Sequence, residues 1–333
     1  MQEYERDSVL EQYDITINST RKIRGAILCD TDRGPLLLKE ADVSEGKTSA
    51  LCELYEYLEE QGSIATDCPV KNRDGEYISV SEDGVRYMMK KWYAGRECDI
   101  RKPAELLKSA GNLASLHIIL QKELPHELPP GTHLKEDYMR HNRELRKVRK
   151  FVRGVSPKGE FEFSFLKCFE QMYEWADAAV QELESSSYDH LYRESIDHFH
   201  MTHGEYNYHN IVMRQGALAE IVAITGFEKC RRDVQVEDLY YFLRKVMEKN
   251  GWKERLGDNM LNAYSAIRPM SEEELEYIKN RLIYPEKFWK IANSYYRSNK
   301  AWMPVKNTEK LNIAIHQTKE KKRFLENIFS FHM

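Results

Sequence analysis

The sequence predicts an α+β fold in two parts, a small β-rich part followed by a large and mainly helical one. Three observations predict it. Within the first ninety residues, short apolar runs alternate with turn residues. From about residue 103 onward, apolar residues recur at spacings of three and four. The change falls at "YAGRECD", a short irregular link that follows Trp92. A chain of 333 residues can bury a large core and divide in two. The expected division is 1–91, five strands and one helix, and 92–333, the helical part.

The elements follow in order. "YDITIN" (13–18), "GAILCD" (25–30) and "PLLLKE" (35–40) read as strands, with "TDRG" (31–34) as a turn. Residues 45–61 read as a helix through Leu51, Leu54, Tyr55 and Leu58, stopped by Gly62. "EYISV" and "VRYMMKKW" read as two strands joined by the turn "SEDG" (81–84). Helices are then expected at 103–117, 133–153 and 163–184, with Pro125, Pro129 and Pro130 marking a loop. Residues 199–230 are not helical and hold strand candidates at "NIVM" and "LAEIVAI". Helices resume at Asp238. One opens on a capping box of Ser271 and Glu274, and another at Pro285, carrying Phe288, Trp289, Ala292, Tyr295 and Tyr296. A last helix, roughly 308–329, is expected to bury Leu311, Ile315, Leu325 and Phe329.

Composition narrows the function. The net charge of -4 argues against a general nucleic-acid binder. No apolar run approaches the roughly 18 residues a membrane span needs, and the polar N-terminus does not read as a secretory signal. Six scattered cysteines form no C-x-x-C pair, which favours synthesis in a reducing cytoplasm.

A phosphoryl-transfer site depends on a few electrostatic parts. Lys39, late in the third strand, is placed to neutralise phosphates. A glutamate on the next helix would hold it, with Glu53 the candidate and Glu45 the alternative. "HGEYNYHN" (203–210) offers a base at Glu205 and a metal-binding Asn210 five residues on. The turn after the next strand, in "IVAITGFEKC", should carry a metal-binding aspartate; Gly226 stands there, followed by Phe227 and Glu228.

These stretches, with "VQVEDLYYFLRKV", resemble the aminoglycoside phosphotransferase and choline kinase group, which shares the protein-kinase fold. "KWYAGRECD", "NLASLH", "YPEKFWKIANSYY" and "FLENIF" narrow the resemblance to the CotS family of bacterial spore coat proteins, over roughly residues 13 to 329. The resemblance implies a two-lobed kinase-like fold, location in the spore coat, and other coat proteins as partners. The family loop reads H-G-D-x-x-x-x-N; here His203, Gly204 and Asn210 match, and Glu205 replaces the aspartate. The metal turn usually reads D-F-D or D-F-E; here it reads Gly226, Phe227, Glu228. Asp238 matches an aspartate that supports the loop backbone. Shaping positions are thus kept, while one carboxylate is altered and another lost.

Glutamate for aspartate shifts a carboxylate by roughly 1.5 Å, and misplacement of about 1 Å can cost around a hundredfold in rate. Glycine gives a hard cation no oxygen ligand, which leaves Glu228 as the acidic ligand. "NSTRKIRG" replaces a glycine-rich phosphate loop; Arg21, Lys22 and Arg24 could touch phosphate without its backbone cradle. The expectation is a spore-coat pseudokinase acting as a structural or interaction module, with ATP and Mg binding weak or absent. The alternative is an active ATP-dependent phosphotransferase acting on a hydroxyl of an amino sugar, amino alcohol or sugar.

Two rival readings are weaker. His198, His200, His203 and His209 crowd together, but their spacing fits no zinc pattern, and no transition metal is expected. His203 is instead expected to pack beside Phe227. Residues 140–153 carry seven lysines and arginines on one helix with an apolar stripe of Leu145, Val148 and Val152. That pattern suits a solvated face or a docking surface for an acidic partner protein, not nucleic acid.

Overall fold

The computed structural model of the chain describes residues 8–23, 25–216, 218–298 and 305–332. They form two compact units, one comprising the chain up to Pro129 together with His198–Arg232, the other Pro130–Asp197 with the chain from Asp233. The segment bearing 203–210 therefore groups with the sheet rather than with the later helices. Backbone pairing is one reason: the Ile224 N–H donates to the Ala65 carbonyl at 2.9 Å, and Thr66 bridges Ile224 in parallel.

The first unit is built on an antiparallel five-stranded sheet of order β1-β2-β3-β5-β4. Its strands are β1 (Ile17–Ile23), β2 (Ala26–Thr31), β3 (Gly34–Glu40), β4 (Ser79–Val80) and β5 (Arg86–Lys91). β1 lies later than the expected 13–18, so most of "NSTRKIRG" is strand rather than turn. Arg21 and Lys22 pair with Leu28 and Ile27, and Arg24 lies outside the described residues. Alternation sends Leu36, Leu38, Tyr87 and Met89 to one face, where they pack with Val9, Leu10 and Tyr13. Leu37 and Lys39, paired with Lys90 and Met88, share the opposite face. Helix α1 (Glu45–Gln61) runs as expected and ends at Gly62, whose φ of 63° closes it in a left-handed turn. Helix α2 (Pro103–Ile119) buries Leu106, Ala110, Leu113 and Leu116. The short strands β6 (Arg96–Glu97), β8 (Ile211–Met213) and β9 (Ile221–Ile224) form one ribbon; β7 (Met201–Thr202) and β10 (Arg231–Arg232) form another.

The second unit is helical: α3 (Leu134–Gly154), α4 (Glu160–Ser185), α5 (Tyr188–Asp197), α6 (Val236–Asn250), α7 (Glu254–Ser265), α8 (Glu272–Ile283), α9 (Glu286–Arg297), α10 (Val305–His316) and α11 (Thr318–Phe329). α3 packs on α4 and α9, and α4 on α8 and α10. Their aromatic core includes Tyr138 stacked on Tyr284 at 4.2 Å, whose hydroxyl donates to Asn142 at 2.9 Å. The capping box is present: Ser271 Oγ accepts from the Glu274 N–H, and the Glu274 carboxylate accepts from the Ser271 N–H. The expected last helix is broken at Gln317, and Ile315 and Phe329 are half-buried while Leu311 and Leu325 are buried. Along α3 the apolar stripe is buried, and Arg143, Arg146, Lys147, Lys150 and Arg153 face solvent. All six cysteines are free and buried. Among the described residues, no helix is long and apolar enough to cross a membrane.

Candidate functional site

The site assembles within the first unit around Lys90. This residue lies on β5 in a run, Tyr87 to Lys90, that is buried throughout. Its ammonium has three protons to donate. One reaches the Tyr55 hydroxyl at 2.9 Å, one Asp67 Oδ2 at 3.0 Å, and one Glu228 Oε1 at 2.8 Å. Three separate pieces of chain supply these partners, and each is held in place locally. Tyr55 lies on the buried face of α1. Asp67 sits between Thr66, which bridges Ile224, and a stretch tied to β5, with the Val70 N–H donating to the Met89 carbonyl and the Lys91 N–H to the Cys68 carbonyl. Glu228 lies in a single 3-10 turn, Phe227–Lys229, directly after Gly226.

Asp67 is saturated. Its Oδ1 accepts from Tyr55 at 3.0 Å, and both of its oxygens accept from the Gly226 N–H at 3.1 Å. Gly226 has φ 85°, and a Cβ there would lie 3.2 Å from the Asn210 side chain. The Asn210 amide donates to the Glu205 carbonyl at 3.0 Å, as does the Asn207 amide at 2.8 Å, so the loop closes on itself. The Glu205 N–H donates to His203 Nδ1 at 3.2 Å, which leaves Nε2 to carry the proton and donate to the Thr225 carbonyl at 3.0 Å. This neutral tautomer is consistent with the buried His203 ring, whose centroid lies 4.4 Å from that of Phe227. Gly204, at φ 80°, admits no side chain, because a Cβ would sit 2.1 Å from the Lys229 carbonyl oxygen.

The electrostatics follow from burial and pairing. Burial opposes the charge on Lys90, but Asp67, Tyr55 and Glu228 outweigh it and hold its pKa well above the ordinary lysine range. Burial likewise opposes ionisation of Glu228, and Lys90 and then Lys39 overcome it, holding the carboxyl down at about 2. Lys39 lies 3.8 Å from the same Glu228 oxygen, with half of its side chain exposed. Beside this cluster opens a cavity of about 320 Å³. Ile23, Ala26, Leu37, Trp92 and Val212 give it apolar walls, and Lys39, Asp67, Lys90, Asn210, Gly226 and Glu228 line it too.

The structure brings together Lys39, Asn210, Gly226 and Glu228 of the expected residues, with Phe227 and His203 packed behind them. Glu205 is in the loop but does not line the cavity. The expected pairing of Lys39 with Glu53 is not formed. Glu53 instead receives the His126 N–H at 2.8 Å and the His126 ring at 2.5 Å, because its place on α1 points it to that loop, while Tyr55 faces the sheet. Glu45 is exposed at the start of α1. Asp238 is buried in the first turn of α6, in the second unit. Of the crowded histidines, His209 pairs with Glu97 at 2.7 Å and His203 is bound as described, while the ring centroids of His198 and His200 lie 6.2 Å apart. Lys90 and Asp67 were not anticipated. Alternation alone would have placed Lys90 on the face of Met88, the residue opposite Lys39, whereas nothing in "ATDCPV" marks Asp67.

The donor set is a poor one for a magnesium ion, because a lysine ammonium sits on both of its carboxylates. Magnesium commonly takes one or two carboxylates along with substrate phosphates. Here Gly226 supplies none, both Asp67 oxygens are already bonded, and Glu228 Oε1 faces two lysines, which leaves Glu228 Oε2 and the Asn210 amide oxygen as the donors outside these contacts.

Comparison with known proteins places the chain. Residues 6–328 match the family described as "Spore coat putative kinase YutH". The chain belongs to this spore coat family. It is 23% identical over 323 residues to spore coat protein S of Bacillus subtilis (strain 168), covering 94% of this chain and 89% of that protein. Among solved structures it resembles an aminoglycoside phosphotransferase from Alicyclobacillus acidocaldarius, with TM-score 0.85 and 16% identity over 97% of this chain and 95% of the other. It also resembles spectinomycin phosphotransferase in complex with ADP and spectinomycin, with TM-score 0.64 and 12% identity over 94% and 97% of the two chains. The family member described here therefore has the kinase-like fold of the aminoglycoside phosphotransferases.

Proposed function

We propose that this spore coat family member is a pseudokinase, a kinase-like structural and interaction module of the coat without phosphoryl-transfer activity. One observation carries the reading. The carboxylates beside Gly226, those of Asp67 and Glu228, are both bound to the Lys90 ammonium, and Gly226 itself adds no ligand. The retained shape of the loop serves packing: His203, Phe227 and Gly204 hold it closed. The cavity is suited to a small molecule or nucleotide taken up for binding. Other coat proteins are the expected partners, after synthesis in the cytoplasm, and the exposed basic face of α3 suits an acidic one. The test is transfer of phosphate from ATP, with Mg, to amino sugars, amino alcohols and sugars. No transfer is expected; transfer abolished by Glu205→Ala or Asn210→Ala overturns the reading.

The closed loop geometry also favours a second reading, an active ATP-dependent small-molecule phosphotransferase. Glu205 would then be the base, Asn210 and Glu228 would hold the metal, and Lys39 the phosphates. It requires Glu228 to reach the metal through Oε2, the oxygen Lys90 does not hold, and it predicts a thermal shift with ATP that depends on Mg.

A further inference from the structure

We infer that the Lys90 ammonium is the resident cation of the site, in the place a divalent ion would take, so that the cavity binds its ligand without metal. The inference rests on the pseudokinase reading and deepens it. An ammonium on a carboxylate opposes a divalent ion there by its charge as well as by the oxygen it takes, and Lys90 holds Asp67 Oδ2 and Glu228 Oε1. Here the ammonium is covalently part of β5, so its local concentration is fixed by the fold rather than by the solution. All three of its protons are bonded, two of them to carboxylates, within 3.0 Å. Its side chain is 3% exposed, so water does not share those bonds. Lys39 adds a second positive charge 3.8 Å from the Glu228 oxygen. Two lysines and two carboxylates make a charge-neutral cluster, and adding a dication to it would set like charges within a few ångströms. Lys90 has no proton free for a phosphate, and Lys91 and Arg96, which also line the cavity, are paired with Glu59 and Glu105; Lys39, half exposed and outside hydrogen-bonding range of Glu228, can turn to one anionic group. The ligand class that fits is a small molecule with an apolar body and at most a single anionic group, not a metal-chelated polyphosphate.

The test uses the full-length protein and manganese alone, read by the electron paramagnetic resonance of free and bound Mn. The wild type is expected to bind no Mn that Glu228→Gln removes. Lys90→Gln removes the ammonium from both carboxylates and is expected to gain an Mn site roughly tenfold or more tighter than any in the wild type, lost again in Lys90→Gln/Glu228→Gln. Wild-type Mn binding that Glu228→Gln abolishes overturns the inference. So does a folded Lys90→Gln that gains no site. If Lys90→Gln fails to fold, the comparison of wild type with Glu228→Gln decides alone. Metal bound at Glu228 without phosphate transfer sinks this inference and leaves the pseudokinase reading standing; transfer sinks the reading itself.

Discussion

Lys90 and Glu228 stand 138 residues apart in the chain and meet at 2.8 Å. This contact ties β5 to the turn after β9, and with Asp67 and Tyr55 it forms one buried polar network. Such a network is strong only while every member is satisfied.

Breaking it from the lysine side leaves two buried carboxylates without their cation. Lys90→Met is expected to destabilise the protein by about 3–5 kcal/mol. Lys39→Met, at a half-exposed and longer contact, should cost less than about 1 kcal/mol. Urea denaturation of the two variants checks the contrast; equal losses would mean that Lys39 shares the central role.

Two glycines are expected to respond in opposite directions. At Gly204 a methyl group meets the Lys229 carbonyl oxygen at 2.1 Å in a left-handed backbone conformation. Gly204→Ala should therefore cost about 2–4 kcal/mol. Gly46 lies in the first turn of α1 with nothing within 4 Å of its would-be Cβ. Gly46→Ala should stabilise by about 0.5–1 kcal/mol. Thermal melts of the pair report both signs.

Restoring an aspartate at the altered turn is expected to strain the site rather than repair it. In Gly226→Asp the new Cβ meets Asn210 at 3.2 Å, and the new carboxylate enters beside Asp67. A loss of about 1–3 kcal/mol is expected, with no gain of phosphate transfer even when combined with Glu205→Asp. Transfer from ATP by the double variant alone would show that Lys90 yields to metal once the carboxylates return.

Acid is expected to weaken the second unit through His141. Its ring stacks on Trp289 at 3.5 Å, and its Nδ1 is buried without a partner. Burial lowers its pKa to about 4; Glu286 opposes the shift, and Arg140, Arg281 and Lys290 add to it. The folded state thus binds a proton less readily than the unfolded chain, whose histidine titrates near 6.5. The associated stability is complete above that value and is lost as pH falls toward 4. Between pH 7.5 and 5 the loss should be about 2 kcal/mol. His141→Phe keeps the stack and should flatten this part of the profile, as urea midpoints across the range will show.

Local signals told much of the fold. The apolar spacing in 45–61, the stop at Gly62 and the Ser271 and Glu274 box act over one or a few helical turns, and the structure has all three. "NSTRKIRG" misled, because a polar edge strand exposed along much of its length reads like a loop. The break at Gln317 was hidden because the apolar spacing runs on across it.

By itself, the sequence determined the order of the longer strands and helices and placed His203, Gly204, Asn210 and Gly226 in one non-helical stretch, where an aspartate is missing from the turn. These are local facts, set by residue type and spacing. Only the tertiary structure decided which charges meet. Lys90, Asp67 and Glu228 come from three distant segments, and their partners depend on strand register, the facing side of α1 and the pairing of Ile224 with Ala65. A one-residue change in strand register reverses which side a lysine faces, so residue spacing could name Lys39 but could not choose Glu228 over Glu53 as its neighbour.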